Sequence, residues 1–198
     1  MDTQKSQFWH KSTFVALFFG FISLALYWQS ISFGYVLDDT IVLDENKFVA
    51  KGFSGIWDIL STESFTGYFG EQKNLVAGAR YRPLSIVSFA VEQGIVGKKP
   101  WLSHLINILL YGICGWLIYR MGELLNLGSS MGWKKMFPLI FGILFLSHPI
   151  HTEAVANIKG RDEIMCLLFS LLTAINVLKY FDSKALKYLI LSSFCFFL

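Results

Sequence analysis

The stretch PLSIVSFAVEQGIVG, Pro83–Gly97, decides how the chain is threaded. It is apolar, but shorter than the roughly 20 residues a helix needs to cross a bilayer. Ser85, Ser88 and Glu92 recur at i, i+3 and i+7, which draws one polar stripe along a helix. A lipid-spanning helix would have to bury Glu92 at a heavy cost. A helix lying flat in the interface leaves the stripe in water. The flat arrangement is the cheaper one, so 83–97 is read as an interfacial helix with its stripe facing solvent.

The rest of the chain supports a membrane setting. Of its 198 residues, 54% are hydrophobic, 17% aromatic and only 16% charged. A soluble domain carries about 25% charged residues, so the deficit points to lipid as solvent. The net charge of +3 is scattered, which gives no case for a nucleic-acid partner or for a strongly basic membrane-surface protein. Cys114, Cys166 and Cys195 lie inside apolar runs and read as buried small hydrophobes, not as a disulfide framework or zinc site. Lys5 and Lys11 precede an apolar run beginning at Phe14, but no small-x-small cleavage pattern follows Leu26, so the run reads as a retained helix.

Hydropathy then predicts an all-α, polytopic transmembrane bundle. The expected spans are 14–32, 101–119, 136–153, 164–180 and a truncated fifth at 186–198, with an outer loop over 33–100. The last run is too short to cross, which suggests a fragment of a longer polytopic protein. With the N-terminus inside and 83–97 in the interface, Asp38 and Asp39 emerge outside, and Arg120, Lys134, Lys135, Lys179, Lys184 and Lys187 fall inside. The short inner loops are basic and nearly free of acids, in the sense of the positive-inside rule. The same parity puts Asp38, Asp39, Arg80, Arg82 and the segment His148–Glu163 on one outer face.

Several ionisable groups are expected at that boundary. Met136–Ser147 spans about 18 Å as a helix, short of a core of about 30 Å. His148, His151 and Glu153 therefore fall at the outer edge of the third span, and Pro149 should kink or end the helix there. The two histidines and Glu153 could hold a divalent metal, shape the loop through hydrogen bonds, or meet an anionic ligand. His104 and Asn107, one turn apart, favour an interhelical hydrogen bond. Arg80 and Arg82 match a phosphate through their planar donor forks or anchor lipid headgroups. Arg161 is either a phosphate contact or an ion-pair partner of Asp162.

The stretches GYVLDDTIVLDEN, GIWDIL, YRPLSIVSF, WLSHLINILL and HPIHTEAVANIKGRDE follow one another in a family-specific order. Together, over Gly34 to Ile164, they resemble the amino-terminal membrane domain of the transmembrane and tetratricopeptide-repeat O-mannosyltransferases and their bacterial relatives. HPIHTEAV followed by GRDE is the most specific part. The resemblance implies a GT-C-like fold whose long extracytoplasmic first loop carries juxtamembrane helices, with an acidic motif just after the first helix, here Asp38 and Asp39. It implies a sugar donor on a polyprenyl or dolichyl phosphate, reached from within the membrane lipid, and Ser/Thr hydroxyls of an acceptor protein. An integral, multi-pass protein of a bacterial inner membrane or the endoplasmic reticulum is expected, with its active face extracytoplasmic or lumenal.

The chemistry this suggests is an inverting transfer. One of Asp38 and Asp39 takes the acceptor's proton, with Asp38 the marginal first choice. Arg80, Arg82 and Arg161 meet the leaving phosphate. His148, His151, Glu153, Asp162, His104 and Asn107 bind substrate or shape the site. The rival readings are a transporter or channel subunit, with polar groups lining an ion path, and a non-catalytic membrane scaffold.

Overall fold

The computed structural model describes residues 2–36, 38–71, 81–125 and 136–198, with side chains from Ser12 onward. Among these residues every regular element is helical. The longer ones are α1 (Asp2–Tyr27), α5 (Pro83–Val96), α6 (Pro100–Leu124), α7 (Phe137–Ser147), α9 (Arg161–Ser183) and α10 (Leu186–Phe197). The short ones are α2 (Lys47–Ala50), α3 (Ile56–Ser61), α4 (Thr66–Phe69) and α8 (Thr152–Ala156). Three segments are long and apolar enough to cross a membrane: Ser12–Ser32, Pro100–Leu124 and Ile158–Ser183. A fourth is obtained if Phe137–Ser147 and Pro149–Ala156, bent by 50°, are one broken span. The bend falls at Pro149, whose ring lacks the amide that would continue α7.

The chain divides into two compact units. One comprises residues 1–28, 108–151 and 164–198. Its interior is held by close helix approach. A side chain on Gly115 would strike Leu146, and one on Gly142 would strike Phe19. Small residues are what let helices meet where no water drives them together. Ser23 donates from Oγ to the Ile108 carbonyl at 2.7 Å, a fully buried bond. The outer faces of these helices show Phe14, Leu17, Phe21, Phe141, Leu144 and Phe194. So much exposed apolar surface suits lipid, not water.

The other unit comprises residues 29–107 and 152–163. Its core joins Val42, Leu43, Val49, Ile59, Ile86, Phe89, Ala90 and Ile158. The central element is α5. Pro83 opens it with a pre-set φ, and Gly97 ends it at φ +77°, a conformation few other residues adopt. Around α5 lie the π-helical turn Thr40–Asp44, then α2, the 3₁₀ turn Gly52–Gly55, and α3. Asn46 starts α2 by accepting from the Phe48 and Val49 amides at 3.0 and 3.2 Å.

This packing corrects the reading of the polar stripe. Ser85 and Glu92 are buried, and Ser88 is half-buried, so the stripe faces protein. Glu92 accepts from Ser103 Oγ at 2.5 Å and from Arg161. The expected cost of burying Glu92 is offset by partners that hydropathy cannot see.

Candidate functional site

Arg161 begins α9 and is fully buried. Its Nε donates to Asn107 Oδ1 at 2.8 Å, Nη1 to Ser88 Oγ at 2.8 Å and to Glu92, and Nη2 to the Ser103 carbonyl at 2.9 Å. The Phe89 ring covers its guanidinium at 4.2 Å. These bonds commit the Arg161 guanidinium to protein partners. Its partner is Glu92, not the neighbouring Asp162. Asn107 extends the same network, donating from Nδ2 to the carbonyls of Asn157 and Ile158 at 3.1 and 3.2 Å. His104 is also fully buried, edge-on to Phe33, with ring nitrogens near the Phe33 and Gly34 backbone but short of hydrogen-bond geometry.

This network fixes the turn Ile158–Gly160 just before α9. Asn157 accepts from the Lys159 amide at 3.2 Å. Gly160 passes so close to the chain that a Cβ there would lie 2.2 Å from the Ala154 carbonyl oxygen. The Lys159 amide also donates to Asp39 Oδ1 at 2.8 Å, joining residues 120 apart in sequence.

The two adjacent acids are therefore unlike. Asp39 is fully buried, and its Oδ2 accepts from the Val36 amide at 3.0 Å. Burial, with help from the Asp38 charge, raises its pKa above the usual carboxylate value, although the backbone donors and Lys159 pull the other way. Burial and the carboxylates of Asp44, Glu92 and Asp39 push the nearby Tyr35 phenol up to about 12, so it stays protonated at neutral pH. The Asp38 side chain is 61% exposed, and its carboxylate lies 3.9 Å from Lys159 Nζ.

Lys159 belongs at the same time to a pocket. Val42, Phe65, Ile86 and Phe89 form its apolar wall, and Arg82, Lys159 and Asp162 its charged residues. Arg82 donates from Nη1 to Asp162 Oδ2 at 2.5 Å, and its amide donates to Ser64 Oγ at 3.0 Å. Asp38, Asp39, Arg82 and Asp162 are thus gathered around Lys159. Arg80 lies outside the described residues. Lys159 was not singled out from sequence, although it stands inside the stretch read for Arg161 and Asp162.

The histidine segment divides. Glu153 is exposed on α8. In the first unit, His148 is exposed and accepts from the Ile150 amide at 3.2 Å through Nδ1, which shapes the turn. His151 packs on Phe145 with ring centres 4.4 Å apart. Among the described residues, no three His, Cys, Asp or Glu side chains converge in a way that could hold a metal ion.

No family model matches the chain, and no solved structure matches it. Among curated proteins it is 33% identical over 170 residues to the mouse (Mus musculus) Protein O-mannosyl-transferase TMTC2, covering 82% of this chain and 18% of that protein. It is 34% identical over 176 residues to Tmtc2 of Drosophila melanogaster (86% and 18%), and 28% identical over 190 residues to mouse TMTC4 (91% and 24%). The chain thus spans about a fifth of the length of these relatives. Over most of its own length, the chain is homologous to one segment of the TMTC protein O-mannosyl-transferases.

Proposed function

We propose that the chain is a membrane segment of a glycosyltransferase that moves a hexose, mannose by analogy with its relatives' names, from a polyprenyl- or dolichyl-phosphate donor to Ser/Thr hydroxyls of proteins on the extracytoplasmic face. The observation that carries this reading is the accessible carboxylate of Asp38 beside Lys159, a residue that also lines the pocket holding Arg82. In the transfer the acceptor oxygen attacks the anomeric carbon and its proton passes to Asp38. The bond from that carbon to the donor phosphate oxygen breaks, and its electron pair leaves with the phosphate. Attack opposite the leaving group inverts the anomeric centre. Asp39 takes no proton in this scheme; it holds the base by bonding the Val36 and Lys159 amides. Arg82, with Arg80 next but one in sequence, supplies positive charge for the leaving phosphate.

The test is transfer of labelled mannose from a polyprenyl-phosphate donor by the purified full-length protein. General-base assistance is worth roughly 10²–10⁴-fold, so Asp38→Asn should lower kcat by at least about 100-fold while leaving the protein folded. Wild-type rates from that variant would remove Asp38 from the chemistry. Absence of transfer to any hydroxyl acceptor by wild type would overturn the function itself.

A further inference from the structure

We infer that the turn joining α9 to α10 is a binding site for the headgroup of an anionic phospholipid, held by Lys179 and Lys187 about the Tyr188 ring. The site serves the bilayer and not the sugar transfer, so it stands apart from the reading above.

Two lysines come together there from different helices. α9 ends at Ser183 and α10 begins at Leu186. Ser192 Oγ donates to the Thr173 carbonyl at 3.3 Å, which lays α10 back along α9. Lys179 Nζ lies 5.8 Å from the centre of the Tyr188 ring, and Lys187 Nζ 5.0 Å. Lysines near a helix C-terminus are ordinary, because they complement the helix dipole. Two ammoniums at one ring with no acid beside them are less so. Among the described residues neither lysine has an ion-pair partner. Arg120, near the end of α6, is close enough for its charge to act on Lys179. The carboxylate of Glu123 is already taken, one oxygen accepting from Tyr119 and the other from Arg120, both at 2.6 Å. Asp182 is exposed and forms no ion pair among the described residues. These cations repel one another until an anion joins them.

The turn adds a further cation. Lys184 stands at φ +55°, a left-handed conformation that favours glycine. Its amide donates to the Tyr180 carbonyl at 2.7 Å. Glycine would be easier on the backbone, whereas the lysine puts an ammonium 5.2 Å from the Phe181 ring and 6.0 Å from that of Tyr180.

The surroundings select a lipid over a free anion. Phe181, Leu186 and Ile190 are all exposed, so apolar surface begins where the ammoniums end. The membrane-length segment Ile158–Ser183 also reaches its limit at this turn. A ligand with its phosphate at the lysines and its acyl chains along Phe181, Leu186 and Ile190 satisfies both surfaces at once. The Tyr188 hydroxyl can donate to the same phosphate.

Dioctanoyl phosphatidylglycerol and dioctanoyl phosphatidylcholine, titrated separately into the purified full-length protein in neutral detergent, test this without turnover. Native mass spectrometry reads the occupancy of the first lipid bound. A lysine beside an anionic headgroup is worth about fivefold in affinity, so wild type should prefer the anionic lipid at least tenfold. Lys179→Gln combined with Lys187→Gln should bring that preference below twofold, and the corresponding pair of arginine replacements should keep most of it. Lys187→Gln alone, at an exposed position, should lower it several-fold. Lys47→Gln combined with Lys51→Gln removes the same charge from two other exposed positions and should leave the preference unchanged. A full preference in both the Lys187 variant and the Lys179 and Lys187 double variant overturns the site, as does an equal loss in the Lys47 and Lys51 variant. Displacement of the lipid by glycerol phosphate at equal concentration overturns the lipid as its occupant in favour of free phosphate.

Discussion

The Arg161 side chain is fully buried and that of Glu92 is 10% exposed. Removing two charges from water costs several kcal/mol for each, and only close pairing with further hydrogen bonds offsets it. Ser88, Ser103 and Asn107 supply those bonds. Replacing one partner strands the other charge, so Arg161→Met should cost about 3–5 kcal/mol, read as earlier thermal inactivation in detergent. Adding Glu92→Leu to that variant should restore much of the loss, because an apolar pair has no charge to strand. Equal instability of the single and double variants would mean that lost packing, not the stranded carboxylate, sets the cost. Asp39 makes a prediction of the opposite kind. Its folded pKa is raised above the unfolded value, so its contribution to stability is complete below the ordinary carboxylate range and is lost as pH rises through the raised value. Asp39→Asn cannot ionise. Melting curves at a series of pH values should therefore show the variant gaining on wild type as pH rises through that window, and a pH-independent difference would count against the raised pKa.

At the scale of elements, α6 uses its small residues unequally with its neighbours. A Cβ on Gly112 would come within 2.9 Å of the Gly20 Cα on α1, whereas a Cβ on Gly20 itself would meet nothing within 4 Å. Gly20→Ala should therefore be neutral or stabilising, by up to about 1 kcal/mol from helix propensity, while Gly112→Ala should destabilise by pushing the two helices apart. Comparing the two melting temperatures in the same detergent checks this, and equal effects would show that the crossing is looser than described. The apolar runs that make α1, α6 and α9 can be read from sequence because lipid demands length and apolarity from each helix separately. The polar stripe of α5 was equally visible, but what it faces was not. Glu92 meets Arg161 from 69 residues away, and periodicity reports only that a face is polar. The site was visible to the same extent. Asp38 and Arg82 stood out by residue type, whereas the burial of Arg161, the backbone bonds of Asp39 and the place of Lys159 come from contacts between segments far apart in the chain.

For the molecule as a whole, one hydrogen bond constrains any threading through a membrane. The Lys159 amide reaches Asp39 Oδ1 at 2.8 Å, so residues 39 and 159 share a side. If α6 crosses the bilayer as its length and apolarity allow, the chain between Leu124 and Ile158 has to return across it. The bent pair Phe137–Ser147 and Pro149–Ala156 is then a broken span and not a re-entrant loop, and α5, with Glu92 tied to Arg161, remains on the side of Asp39. Crossing again through α9 carries Lys184 to the far side. Single cysteines replacing Glu45, Glu153 and Lys184, all exposed positions, make this measurable with a membrane-impermeant maleimide in sealed vesicles. Glu45→Cys and Glu153→Cys should label from one side and Lys184→Cys only from the other. Labelling of all three from one face would mean that α9 does not cross, whereas labelling of the Glu45 and Glu153 positions from opposite faces would break the cluster around Lys159 and with it the proposed transfer.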